Sequence, residues 1–225
     1  MKTNKLYFSI FVMIILSLIK VDYRFDEIPY GLEVDDAEYY YTAATIGIDF
    51  DLDFSNQMEG VENRYLNKEV KKIVPFHPIG AGVLASPFVA IGNFFSSVSS
   101  EDNLISPIYF LYSFAPIFYL FMSLKLMQMS LEELNITYKN NLLLLMFFGT
   151  GIGYYAFDRF SMSHVYEVFG TTTLIYLTTI AIKINNTSRK PGIFLSIGVL
   201  LFVFLSIRWI NYFLFLIPAL ICYIN

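Results

Sequence analysis

Apolar runs separated by polar stretches organise this chain. Residues 6–19 are uninterruptedly apolar between Lys5 and Lys20. The run is shorter than the ~20 residues that cross a bilayer, but flanking lysines can snorkel and extend its reach. No Ala-x-Ala-like cleavage site follows, so residues 1–20 read as a retained transmembrane signal anchor rather than a signal peptide. Residues 21–78 are rich in charge, Gly and Pro and read as a soluble insertion. Within them, residues 35–48 (DDAEYYYTAATIGI) predict a helix with its acids in the first turn, where the helix dipole favours them. Residues 79–98 (IGAGVLASPFVAIGNFFSSV) are apolar but punctuated by Gly and Pro. Residues 104–124, 142–157, 168–182, 193–207 and 209–224 then follow as further apolar spans.

This pattern predicts an all-α polytopic membrane protein. Residues 1–20 form its anchor, residues 21–103 an extracytoplasmic acidic loop with juxtamembrane helices, and residues 104–225 about five transmembrane helices. Sidedness follows from Lys and Arg, which favour the cytoplasmic side. Lys2 and Lys5 place the N-terminus inside, and the loops carrying Lys125 and Lys139, and Lys183, Arg189 and Lys190, are the basic ones. If residues 79–98 crossed fully, both loops would face outside. They are therefore read as a juxtamembrane or re-entrant helix, which Gly and Pro permit where protein or water covers the backbone. Residues 158–167 then lie on the same outer side as the acidic loop. The final apolar run reaches Asn225 without a polar tail, which predicts a chain continuing beyond it.

Composition supports the lipid setting. Of 225 residues, 56% are hydrophobic and 15% charged, with a mean hydropathy of +0.56, whereas soluble domains carry about 25% charged residues. The 17 Tyr and 23 Phe suit helices that meet lipid tails and headgroups. The single cysteine, Cys222, excludes an internal disulfide and a Cys-based metal cage. The net charge of −4 is unevenly spread: residues 20–72 carry thirteen acids against six bases, a balance of −7, leaving +3 for the remainder. Without a basic face a nucleic-acid partner is disfavoured.

Five constellations can carry chemistry. In Asp35-Asp36-Ala37-Glu38, adjacent carboxylates resist ionising together, and one held near a membrane surface is a candidate general base; a charged helix start above an aromatic belt would show the same residues. Asp49, Asp51 and Asp53 alternate with Phe50, Leu52 and Phe54, which in an extended stretch puts the acids on one side as oxygen ligands for a divalent cation. The run lacks the glycine and terminal Glu of a calcium loop, so a solvated turn is its competing reading. His77 precedes Pro78 and two glycines at the entry to the apolar segment. Arg159 and His164 lie in a polar island (DRFSMSHVYE) and can neutralise a phosphate. Arg208 is the only charge within residues 193–225, where an ionisable group is costly and marks either a site or a turn at the interface.

Together the order DDAEYY, DFDLDF, HPIGAGVLASPF, MSHVYE and SIRWINY resembles the membrane-embedded GT-C glycosyltransferases, most closely the bacterial relatives of protein O-mannosyltransferases and of the aminoarabinose transferase that modifies lipid A. The resemblance implies a GT-C-like bundle that moves one sugar from a polyprenyl-phosphate donor to a lipid, glycan or protein acceptor on the outer face of the cell membrane. It implies a base or metal ligand at Asp35 or Asp36, with Glu38 a weaker candidate. His77 and His164 would approach the site from outside, and Arg208 would lie near the donor phosphate. A divalent cation would draw on Asp35, Asp36 and Asp51. The pattern departs at Trp209, where Pro is expected. A transporter or channel, or a non-catalytic membrane subunit, is the alternative. No acid lies mid-span, where coupling residues usually sit, and no internal repeat suggests paired transporter halves.

Overall fold

The computed structural model describes residues 35–58, 65–98, 106–136, 149–184 and 190–224. The predicted anchor at residues 6–19 and the first part of the predicted span at 142–157 lie outside these residues. The described chain is mostly helical. In order it contains α1 (Asp35–Ala44), a π-helical turn (Thr45–Asp49), a two-stranded hairpin β1 (Leu66–Asn67) and β2 (Lys72–Ile73), α2 (Gly80–Val98), α3 (Pro107–Glu133), α4 (Ile152–Phe157), α5 (His164–Lys183) and α6 (Lys190–Ile207). A 3-10 helix (Trp209–Phe215) and α7 (Leu216–Ile224) complete it. Among the described residues three helices, α2, α3 and α5, are long and apolar enough to cross a membrane. The chain divides into two compact units, residues 1–118 with 154–162, and residues 119–153 with 163–225.

In the first unit α1 is a core element. Every residue from Asp36 to Ala44 is buried, so this is not a solvated helix start. Tyr40 stacks on Tyr109 with ring centroids 5.2 Å apart and meets Tyr112 edge-on at 5.1 Å. Helix α1 lies against the small-residue face of α2, whose buried positions are Gly80, Ala81, Gly82, Ala85, Ser86, Val89 and Gly92. That recurrence every three or four residues is one helical stripe. A Cβ on Gly82 would lie 2.5 Å from Cβ of Thr42 and 3.0 Å from the Ala43 nitrogen, and one on Gly47 2.6 Å from the Ser86 carbonyl oxygen. The glycines therefore bring two backbones together instead of interrupting the helix. This differs from the punctuated segment that the sequence suggests, because α2 runs unbroken through Pro87. Proline removes the N–H that would bond the Val83 carbonyl, and the Ser86 hydroxyl donates to that oxygen at 2.9 Å.

The acidic run also differs from expectation. Residues 50–58 bend and turn rather than extend, because the carboxylates accept local donors. Asp51 Oδ1 accepts the Asp53 N–H at 3.0 Å, and Asp53 Oδ1 accepts the Ser55 N–H and hydroxyl at 3.1 and 2.7 Å. Asp49 Oδ2 accepts the side-chain amides of Asn56 and Gln57 at 3.1 and 2.7 Å. Phe50, at φ 60°, ends the π-helical turn, and only Phe54 of the run's large apolar residues is buried.

In the second unit α5 packs on α6 and α7. Gly170 makes this possible, since a Cβ there would fall 1.6 Å from the Phe204 ring. The Tyr119 ring lies 5.3 and 4.7 Å from those of Tyr166 and Phe169. The hydroxyls of Thr171, Thr172, Thr173, Thr178 and Thr179 bond back to carbonyls one turn earlier, so their polarity is satisfied within an apolar helix. The predicted span at 168–182 lies inside α5, which begins at His164. The predicted single span at 209–224 is a 3-10 helix followed by an α-helix.

Candidate functional site

Helical spacing divides the three acids of α1 between two directions. Asp35 and Glu38 are three residues apart and share a face, while Asp36 is turned about 100° away from Asp35. Asp35 and Glu38 both reach His77. Glu38, only 1% exposed, accepts the backbone N–H of Phe76 at 2.8 Å and that of His77 at 2.9 Å through Oε2. The same oxygen faces Nδ1 of the His77 ring at 3.0 Å. The opposite ring nitrogen, Nε2, lies 3.4 Å from Asp35 Oδ2. Tyr39 flanks the imidazole, its ring tilted at 5.7 Å. Of these carboxylates Asp35 is the accessible one, with a side chain 54% exposed.

Asp36 turns the other way, to Arg159 Nη2, which pairs with Asp36 Oδ2. The guanidinium is delivered by the turn after α4, where the N–H groups of Asp158 and Arg159 both bond the Tyr154 carbonyl. Phe160, buried, meets Tyr112 edge-on at 5.8 Å and fixes that turn against α3. Asp36 is fully buried, and its Oδ1 has no hydrogen-bond partner among the described residues. Burial pushes its carboxyl above the ordinary range, outweighing the hydrogen bond and charge of Arg159, and the neighbouring Asp35 adds to the rise. Burial likewise raises the Tyr41 phenol to about 12. At the exposed Asp53 the direction reverses, because the Ser55 donors favour its charged form.

The structure thus brings Asp35, Asp36, Glu38, His77 and Arg159 into one unit. His164 and Arg208 belong to the second unit. There Glu167 Oε1 accepts the Ser163 hydroxyl at 2.9 Å and lies 3.5 Å from Arg208 Nε. His164 opens α5 one turn before Glu167. Arg208 occupies an extended break (φ −154°, ψ 130°) between α6 and the 3-10 helix. The break is tied down by Asn211, whose N–H and side-chain amide bond the Arg208 and Phe204 carbonyls at 3.0 and 3.1 Å. Asp51 serves the acidic loop's own turns. Among the described residues no group of three or more His, Cys, Asp or Glu side chains is arranged to hold a metal ion. The carboxylates expected to ligate one, Asp35, Asp36 and Asp51, instead face the His77 ring, the Arg159 guanidinium and the Asp53 N–H.

No protein family, characterised protein or solved structure matches this chain.

Three functional details escaped sequence reasoning. Glu167, inside the singled-out polar island, partners Arg208. Glu38 is a hydrogen-bond hub rather than an open carboxylate. Asp36 is committed to Arg159, although both residues stood out individually. The cluster now offers one exposed carboxylate beside an oriented imidazole, and one buried ion pair immediately behind it. Such a set can accept a proton at Asp35 while Asp36 and Arg159 hold the surrounding backbone in place.

Proposed function

We propose that this chain is a membrane-embedded glycosyltransferase moving a sugar from a polyprenyl-phosphate donor to an acceptor hydroxyl at the outer membrane face. The observation that carries the reading is the Asp35 carboxylate, half exposed and backed by His77 Nε2 at 3.4 Å. A general base must be reachable by its substrate and held in orientation, and Asp35 meets both conditions. Asp36 meets the second alone. The acceptor oxygen attacks the anomeric carbon as Asp35 removes its proton. The bond from that carbon to the donor phosphate breaks, its electron pair leaving with the phosphate oxygen, through an oxocarbenium-like state. The products are the glycosylated acceptor and polyprenyl phosphate, with the proton on Asp35 and the anomeric configuration inverted. Cationic groups stabilise the charge gained by the leaving phosphate.

The test is release of polyprenyl phosphate from a panel of polyprenyl-phosphate sugars by the full chain in native membranes. Asp35→Asn is expected to lower turnover by about 10²–10⁴-fold with the protein still folded. Turnover in the wild type that survives unchanged in Asp35→Asn removes the base assignment. A wild type that releases nothing from any donor removes the glycosyltransferase reading.

A further inference from the structure

Glu38 sits beside the proposed base, yet its geometry is unlike that of a group which exchanges protons with a substrate. It is 1% exposed, and a single oxygen, Oε2, collects the Phe76 N–H, the His77 N–H and His77 Nδ1 at 2.8, 2.9 and 3.0 Å. An oxygen that already accepts two N–H groups has no proton to donate, so the third contact is favourable only when Nδ1 carries a hydrogen. The remaining ring nitrogen, Nε2, then offers a lone pair 3.4 Å from Asp35 Oδ2, and it can bond Asp35 only once that carboxyl has taken up a proton.

We infer that Glu38 is a positioning residue, which holds the His77 imidazole as its Nδ1–H tautomer and so presents Nε2 to Asp35. The backbone bonds are part of the same device. They fix the Phe76–His77 peptide to α1, so the ring cannot swing away from Asp35 without breaking contacts to a buried carboxylate. Orientation of an imidazole through its far nitrogen by a buried carboxylate is a known way to set which nitrogen is reactive. Here the Asp35–His77–Glu38 line spans one turn of α1, because residues three apart share a face. The role of Glu38 in catalysis rests on the proposed assignment of Asp35, whereas the tautomer itself does not.

The chain has only two histidines, which makes the tautomer directly readable. Full-length protein labelled with 15N-histidine is reconstituted in lipid at a pH of about 9, well above the ordinary imidazole range near ~6.5. The His164→Gln variant assigns the two rings. His77 is expected to show a pyrrole-type Nδ1 and a pyridine-type Nε2 as its dominant form. Glu38→Leu leaves no acceptor at Nδ1, and the Nε2–H form, donating to Asp35, is expected to become dominant. A dominant Nε2–H tautomer in the wild type overturns the inference. So does a folded Glu38→Leu protein whose tautomer is unchanged. Should that variant fail to fold, the wild-type spectrum still decides. All of these readings hold for protein with no transferase activity, so failure of the glycosyltransferase proposal and failure of this one remain distinct. If both stand, Glu38→Leu lowers kcat with KM nearly unchanged, since Glu38 touches no substrate.

Discussion

Replacing Arg159 with Met strands Asp36, and the structure indicates by how much. Among the described residues Asp36 has no exposure, its Oδ1 has no hydrogen-bond partner, and Arg159 pairs with its Oδ2. Removing one member of a buried pair typically costs about 3–5 kcal/mol. The Arg159 side chain is 33% exposed, so solvent already screens part of the attraction, and a loss of about 2–3 kcal/mol is expected near pH 7. The pH dependence has a definite sign. Burial raises the folded carboxyl above its ordinary value of 3.8. The folded state therefore holds the Asp36 proton more tightly than the unfolded state does. That contribution is fully present below about 3.8 and is lost as pH rises through the higher folded value. Without Arg159 the rise is larger, so the penalty of Arg159→Met grows with pH and shrinks towards acid, with a slope of at most about 1.4 kcal/mol per pH unit. Denaturant unfolding in mixed micelles, followed by the single Trp209, measures this between about pH 5 and 8. The double variant Asp36→Asn with Arg159→Met should recover most of the loss, because no charge is left unpaired. An Arg159→Met protein as stable as the wild type across that range, or a double variant no better than the single, would refute the argument.

Gly82→Val should destabilise the first unit by about 1–3 kcal/mol, since its Cβ would fall 2.5 Å from that of Thr42; thermal unfolding in detergent measures the loss. Gly170→Ala should do the same in the second unit, and Phe204→Leu should relieve part of it, because the clash is with the Phe204 ring. Glu167→Gln and Arg208→Gln should show a coupling of about 1 kcal/mol or less in a double-mutant cycle, as expected for a partly exposed pair 3.5 Å apart. Sidedness is read with single cysteines in a Cys222→Ser background. Leu52→Cys, on an exposed position of the acidic loop, and Ser188→Cys should react with an impermeant reagent from opposite faces of the membrane.

Local chemistry carried the helices well. The acids that open α1 and the apolar runs that become α3, α5 and α6 are periodic or continuous signals, visible within a short window. What a window hides is where distant segments meet. Asp36 and Arg159 are 123 residues apart, and neither residue's neighbours announce the other. The glycines of α2 read as punctuation because the sequence does not reveal that Thr42 packs against Gly82 and the Pro107–Ile108 backbone against Gly92. The run from Asp49 to Phe54 reads as an alternating extended stretch, yet carboxylates two residues from an N–H prefer to fold back on it, and that preference won. Glu38 resembled its acidic neighbours until the backbone at Phe76 and His77 came to it.

The distance in sequence between Asp36 and Arg159 also matters during synthesis. Ribosomes add about 5–20 residues per second, so Arg159 leaves the ribosome about 6–25 s after Asp36. For the second half of that interval α1 and its small-residue partner α2 have both been made, but the guanidinium has not. The buried pair of the first unit therefore closes only after residue 159 has been made, and a chain stopped before it leaves Asp36 without its guanidinium.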